Sequence, residues 1–229
     1  QYILGEVSFE GDLAGITLDE LNQKSDLKQG EIFNRNHVIK SIQSITDLFA
    51  DKGYAFVDIN PITSEFLNEV NINFDIALNR KVYINRITIS GNTRTQDEVI
   101  RREIGVSEGG LYSRSVLRDS LNNLRRLGYF SDVQISTSEV TGMPDKIDIS
   151  FSVEETQTGA VSFSMSHSNN YGISFGAGIE EKNIFGSGNT LNAEFKISES
   201  FNKISFYFMN PNFNDEGHSI SIGAFKSEI

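Results

Sequence analysis

Cysteine is absent from the 229 residues, histidine occurs three times, and positive charge is scarce. Without thiols there are no disulfides, thiolate metal sites or thiol nucleophiles, which suits a cytosolic protein and equally a periplasmic one that avoids cysteine. No run of 18 or more apolar residues occurs, so no transmembrane helix is expected. Lys and Arg number 20 against 31 Asp and Glu, giving a formal charge of -11. That balance argues against a general nucleic-acid surface, which needs a basic field to displace counterions.

Groups suited to catalysis are equally sparse. His37, His167 and His218 have no partner at metal-ligand spacing. The acid pairs Asp97-Glu98, Glu154-Glu155 and Glu180-Glu181 are sequence neighbours, whose side chains diverge on a helix and face opposite ways on a strand. Gly186-x-Gly188 lacks the third glycine and following helix of a phosphate cradle, and reads as a turn. The expectation is a protein that is not an enzyme and needs no metal or cofactor.

The chain instead contains a repeat. Val7-Ser8-Phe9-Glu10-Gly11 returns 80 residues later as Ile87-Thr88-Ile89-Ser90-Gly91, each an alternating strand ending at glycine. Thr17-Leu18-Asp19-Glu20 and Thr95-Gln96-Asp97-Glu98 both have capping-box spacing and predict helix starts. Gly30 to Arg35 matches Gly109 to Arg114, with Asn34 or Ser113 placed to cap a second helix. That helix carries Val38, Ile42, Ile45 and Phe49 on one stripe, or Leu117, Leu121 and Leu124 in the second copy. Gly53-Tyr54 and Gly128-Tyr129 end the helices, and strands with Val57 and Ile59, or Val133 and Ile135, follow. Val70, Ile72, Phe74 and Ile76, or Ile147, Ile149, Phe151 and Val153, mark the last strand.

Each copy is therefore expected to be a small α+β domain in the order strand, helix, helix, strand, strand, separated only by Asn79-Arg80-Lys81. Eight of the ten arginines, from Arg86 to Arg126, fall in the second copy. They read either as a solvated helical surface or as a docking face.

After Glu155 helical periodicity gives way to strand periodicity. Val161, Phe163 and Met165 alternate with Ser162, Ser164 and Ser166, and Asn169-Asn170 makes a tight connection to a second run. There Tyr171, Ile173, Phe175, Ala177 and Ile179 oppose glycines and Ser174. Leu191, Ala193, Phe195 and Ile197 form a third run, Ile204, Phe206 and Phe208 a fourth, and a fifth begins near Ser219. Segments of this length, apolar on one face and polar on the other, suit tilted strands between lipid and water, although a soluble sandwich alternates too. No basic-then-apolar leader precedes Gln1, and Ser227, Glu228 and Ile229 break off inside a strand pattern, so a piece of a longer chain is expected.

The strand order, the paired glycine-tyrosine corners and the stretch Val82 to Thr93 with Val99-Ile100-Arg101-Arg102-Glu103 resemble the POTRA domains of the BamA family. Gly91-Asn92 and Gly128-Tyr129 belong to that pattern. Lys182 to Asn189, with Gly186 and Gly188, joins the second and third runs and resembles the asparagine-x-x-glycine-x-glycine turn at the start of the barrels in that family, and Asn210-Pro211-Asn212-Phe213 a strand ending found there. The resemblance implies residues 1–80 as the penultimate POTRA domain, 81–157 as the POTRA domain adjoining the barrel, and 158–229 as the first four to five strands of an antiparallel transmembrane β-barrel, incomplete here. It implies assembly and insertion of β-barrel proteins at the cell outer membrane, with POTRA domains in the periplasm.

The partners so implied are outer-membrane lipoprotein subunits, unfolded outer-membrane client proteins, periplasmic chaperones and the lipid bilayer. Gly159, Ala160, Val161, Ser162, Phe163, Ser164 and Met165 are the candidate seam for a client strand, while Arg101, Arg102, Glu103 and Glu108 are the candidate lipoprotein-docking residues. A POTRA-barrel exporter of the two-partner secretion type is the alternative, in which two modules would precede the barrel rather than five.

Overall fold

A computed structural model describes residues 2–169, 172–214 and 217–228. Asn170, Tyr171, Gln1 and Ile229, named above in the first turn, the second run and the termini, lie outside the described residues.

The first module runs β1 (Ile3–Gly11), α1 (Leu18–Ser25), α2 (Arg35–Asp51), β2 (Val57–Phe66) and β3 (Glu69–Leu78). Its sheet has the order β1-β3-β2, with β1 parallel and β2 antiparallel to the central β3. Both helices are capped by short polar side chains: Thr17 Oγ1 accepts from Glu20 N–H at 3.3 Å and Asn34 Oδ1 from Asn36 N–H at 2.9 Å. Val38, Ile45 and Phe49 of α2 pack with Leu4, Ile72, Phe74 and Ile76 in one core, and Phe74 stacks on Phe9 at 5.4 Å between ring centroids.

The second module repeats the order as β4 (Tyr83–Ser90), α3 (Asp97–Arg101), α4 (Arg114–Arg126), β5 (Phe130–Val140) and β6 (Met143–Glu155), with sheet order β4-β6-β5. Ile147, Ile149, Phe151 and Val153 alternate as buried residues along β6. Here one expectation needs correcting. Thr95 does not cap α3: the N-cap is Gln96, without a side-chain hydrogen bond. The Thr95 hydroxyl is buried and instead accepts from Asn183 Nδ2 at 2.9 Å.

Beyond lie β7 (Gly159–Ser168), β8 (Gly172–Ile184), β9 (Asn189–Ser198), β10 (Asn202–Phe213) and β11 (His218–Glu228), an antiparallel sheet in sequence order. Its register pairs Phe163 with Ala177, Ala177 with Phe195, Phe195 with Ile204, and Ile204 with Lys226. Residues paired across strands share a face, so the apolar sets of all five runs join into one band. This band is exposed, Phe163 by 83%. The pairing breaks between Asn210 and Phe213 because Pro211 has no N–H to give; Asn210 Oδ1 takes the N–H of Asn212 at 3.0 Å and holds the irregular backbone.

By internal contacts the chain forms two compact units, residues 1–88 with 105–119 and 136–149, and residues 89–104 with 120–135 and 150–229.

Candidate functional site

Within the first unit the two modules are joined through helix ends. α4 has no acidic residue in its first turn. Ser113 caps the helix as its spacing predicts, its Oγ accepting from Val116 N–H at 3.4 Å, and the end of α2 adds a carboxylate, where Asp51 Oδ1 accepts from Ser115 N–H at 2.8 Å and from the Ser113 hydroxyl at 2.9 Å. Asp47 of the same helix takes Arg114 at 3.3 Å and Arg118 at 3.1 Å. Gly53 at φ +96 lets Leu111 approach so closely that an added Cβ would stand 2.5 Å from its Cδ1, and the Gly53 carbonyl accepts from Val82 N–H at 2.9 Å.

The sheet edges differ in availability. On β1, the segment 30–33 hydrogen-bonds to Tyr2 and Leu4; on β4, the segment 109–112 bonds to Val82 and Ile84. Glu108 adds its carboxylate to Ile87 N–H at 2.8 Å. Among the described residues, the outer strands of the two modules without such a backbone cover are β2, where Ile62 and Phe66 are exposed, and β5.

In the second unit the Glu155 carboxylate, at the end of β6, gathers the loop after β4. It accepts from Thr93 N–H at 3.0 Å, the Thr93 hydroxyl at 2.7 Å, Arg94 N–H at 2.9 Å and Thr95 N–H at 2.6 Å. Three successive N–H groups thus form an anion nest filled by the chain's own carboxylate. Burial opposes that charge, but the hydrogen bonds from Thr93, Thr95 and Arg94 outweigh it and hold the carboxyl at about 2. The same loop receives the β8–β9 turn: Asn183 Nδ2 bonds to Thr95, the Gly186 carbonyl accepts from Gln96 N–H at 2.9 Å, and the Gly188 carbonyl accepts from the Tyr129 hydroxyl at 3.2 Å. Asn183 Oδ1 closes the turn on Gly188 N–H at 2.7 Å. Gly186, at φ +72, is tightly required, because a Cβ there would lie 1.9 Å from the Arg94 carbonyl oxygen.

From this clasp the chain passes into β7. Thr156 N–H donates to the Tyr129 carbonyl at 2.9 Å, the Thr158 carbonyl accepts from Lys182 N–H at 3.3 Å, and the Thr158 hydroxyl bonds to Glu181. β7 is an outer strand of the five-stranded sheet, and all its residues, Gly159, Ala160, Val161, Ser162, Phe163, Ser164 and Met165 included, are exposed.

The four docking candidates fall in different places. Arg101, Arg102 and Glu103 lie at the end of α3 in the second unit, where Arg101 pairs with Asp97 and the Arg102 side chain is 20% exposed, 4.0 Å from Glu103. Glu108 belongs to the first unit and is engaged by Ile87. Much of the arginine cluster has intramolecular partners: Arg114 and Arg118 take Asp47, Arg125 takes Asp132 and the Val133 carbonyl, and Arg126 takes Asn123. Gly91 and Asn92 open the Glu155 loop, Asn92 closing it on the Thr95 carbonyl at 3.1 Å, while Gly128 leads into Tyr129. Glu155, Thr95 and Asn183 were not singled out from the sequence as site residues; an acid pair and a turn asparagine carry no signal of their distant partners.

Two strand-helix-helix-strand-strand modules with mixed sheets, followed by an antiparallel sheet, define a tandem POTRA protein, and the family described as "Surface antigen variable number repeat" matches residues 2–77 and 82–156. The chain belongs to the POTRA family, and its likeness to the BamA proteins within it extends over nearly all its length. It is 31% identical to the outer membrane protein assembly factor BamA of Neisseria meningitidis over 94% of this chain, spanning 27% of that relative. The BamA of Haemophilus ducreyi lacking POTRA domains 1-3 superposes with a TM-score of 0.86 at 25% identity, covering 99% of this chain and 43% of that one. CdiB from Escherichia coli, at 12% identity and a TM-score of 0.51 over 99% of this chain and 42% of that one, is a likeness of fold alone. As a member of this family the chain is an outer-membrane protein with periplasmic POTRA modules.

Proposed function

We propose that this chain is the membrane-proximal part of an outer-membrane protein assembly factor, in which the outer edge of β7 templates the strands of client β-barrel proteins. The five-stranded sheet is the beginning of a transmembrane barrel, its apolar band facing lipid and its serine and glycine face turned to water. Strands of 10 to 13 residues match the roughly 9–11 needed to cross a bilayer at a tilt. The observation that carries the reading is β7 itself: an outer strand of the five-stranded sheet, exposed in every residue, paired with β8 on one side and tied at its start through Thr156 and Thr158. Unpaired N–H and C=O groups on such an edge accept an added strand through main-chain hydrogen bonds, with little demand on client sequence. In lipid each backbone group so satisfied avoids a large desolvation cost, and client folding supplies the free energy without nucleotide, metal or cofactor. On this reading the chain is not an enzyme.

The uncovered edges of β2 and β5 offer periplasmic stations for clients delivered by chaperones. Arg101, Arg102 and Glu103 are the proposed lipoprotein-docking group, with Glu108 beside them in sequence. Cysteines at Ser162 or Ser164 in the full-length protein, cross-linked to a stalled client, test the seam. Adducts along β7 are expected, and their absence would discard it.

A further inference from the structure

We propose that Glu155 is a positioning residue for the seam: by fixing the second module to both strands of the first hairpin, it sets the register at which β7 presents itself to a client strand. This inference rests on the seam reading of β7.

Only three residues separate β6 from β7, and two of them are pinned on opposite sides. Thr156 is tied to Tyr129 of the module and Thr158 to Lys182 and Glu181 of β8, so only Gln157 lies between the two attachments. A connector this short has no slack to absorb movement. Glu155 stands at its origin and also holds the 93–95 loop, the platform on which the β8–β9 turn is seated through Asn183, Gly186 and Gly188. One carboxylate therefore reaches β7 along the backbone and β8 through Thr95 and Asn183. Both strands of the hairpin are referenced to the same point of the module.

Register is the quantity such an arrangement controls. On β7 the face opposite the apolar band is small, Ser162 facing Gly178 and Ser164 facing Gly176, so side-chain interlocking specifies little register along the strand itself. Displacement of the second module would be passed undiminished to Gly159, where the seam begins.

The test uses the full-length protein in the outer membrane, with photo-cross-linking residues placed singly at Val161, Phe163 and Met165 and a stalled client. Two variants are compared with the parent: Glu155→Ala, which removes the clasp, and insertion of Gly-Ser-Gly after Gln157, which leaves every clasp hydrogen bond in place but adds slack. In both, total adduct yield is expected to stay within about twofold of the parent while the client positions captured shift by two residues or spread over several, since a one-residue slip would turn the apolar face inward. Glu155→Asp is expected to restore the parental pattern at least in part, which a general loss of stability would not allow. Parental cross-link positions in both the alanine and the insertion variants would overturn the positioning role and leave the seam standing. If Glu155→Ala fails to accumulate, the insertion variant decides alone. No β7 adduct in the parent would remove the seam and this inference together.

Discussion

Glu155 titrates far from an ordinary glutamate, and the direction sets a pH dependence. Its folded-state carboxyl sits at about 2 against an ordinary 4.5. An acid depressed in the fold contributes stability that is complete above its unfolded pKa and disappears as pH falls through the folded one. The clasp is therefore expected to hold fully at pH 7 and to weaken between about 4.5 and 2, and Glu155→Gln should flatten that limb of an acid-unfolding curve. An unchanged curve would mean that the charge contributes nothing. At Gly186 the requirement is steric. Gly186→Ala, in a left-handed backbone with its methyl against Arg94, is expected to lift the turn and speed amide exchange at Gln96, whose N–H donates to Gly186.

At the scale of elements, the first module completes a helix of the second. Asp51 supplies the carboxylate that the first turn of α4 lacks, beside the Ser113 cap, so Asp51→Ala should cost about 1 kcal/mol, the usual value of a lost cap, and the loss should appear in the second module's unfolding. By contrast, Phe49→Ala, within the first core, should cost about 3–5 kcal/mol. Denaturant titration followed by amide exchange in each module separates the two. These elements differed in how plainly the sequence announced them. The α2 stripe, the β3 and β6 alternation and the caps at Thr17 and Asn34 were readable because their periods and partners are local. Thr95 misled because its spacing to Glu98 is that of a cap, whereas its hydroxyl is bonded to Asn183, 88 residues away. The arginine cluster announced charge but not that Arg114 and Arg118 already face Asp47. Long-range pairing of polar groups has no periodicity, and so leaves no trace in a single sequence.

Across the whole molecule, two POTRA modules, coupled by Asp47, Asp51 and Gly53, precede a five-stranded sheet with an exposed apolar band, which on the proposed reading faces lipid. If that band faces the bilayer, Ala177→Arg near the middle of β8 should cost about 2–4 kcal/mol of membrane folding stability, while Ser174→Arg on the opposite face should cost far less. Equal costs would point to a soluble sheet. The central claim is that the free edge of β7 receives a client strand, and hydrogen exchange tests it most directly. With the full-length protein in a lipid bilayer, amides from Gly159 to Ser168 are followed with and without a peptide carrying a client's terminal strand. The account expects new protection on alternate residues of β7, the N–H groups that point away from β8; exchange along β7 that is identical with and without the peptide would contradict it.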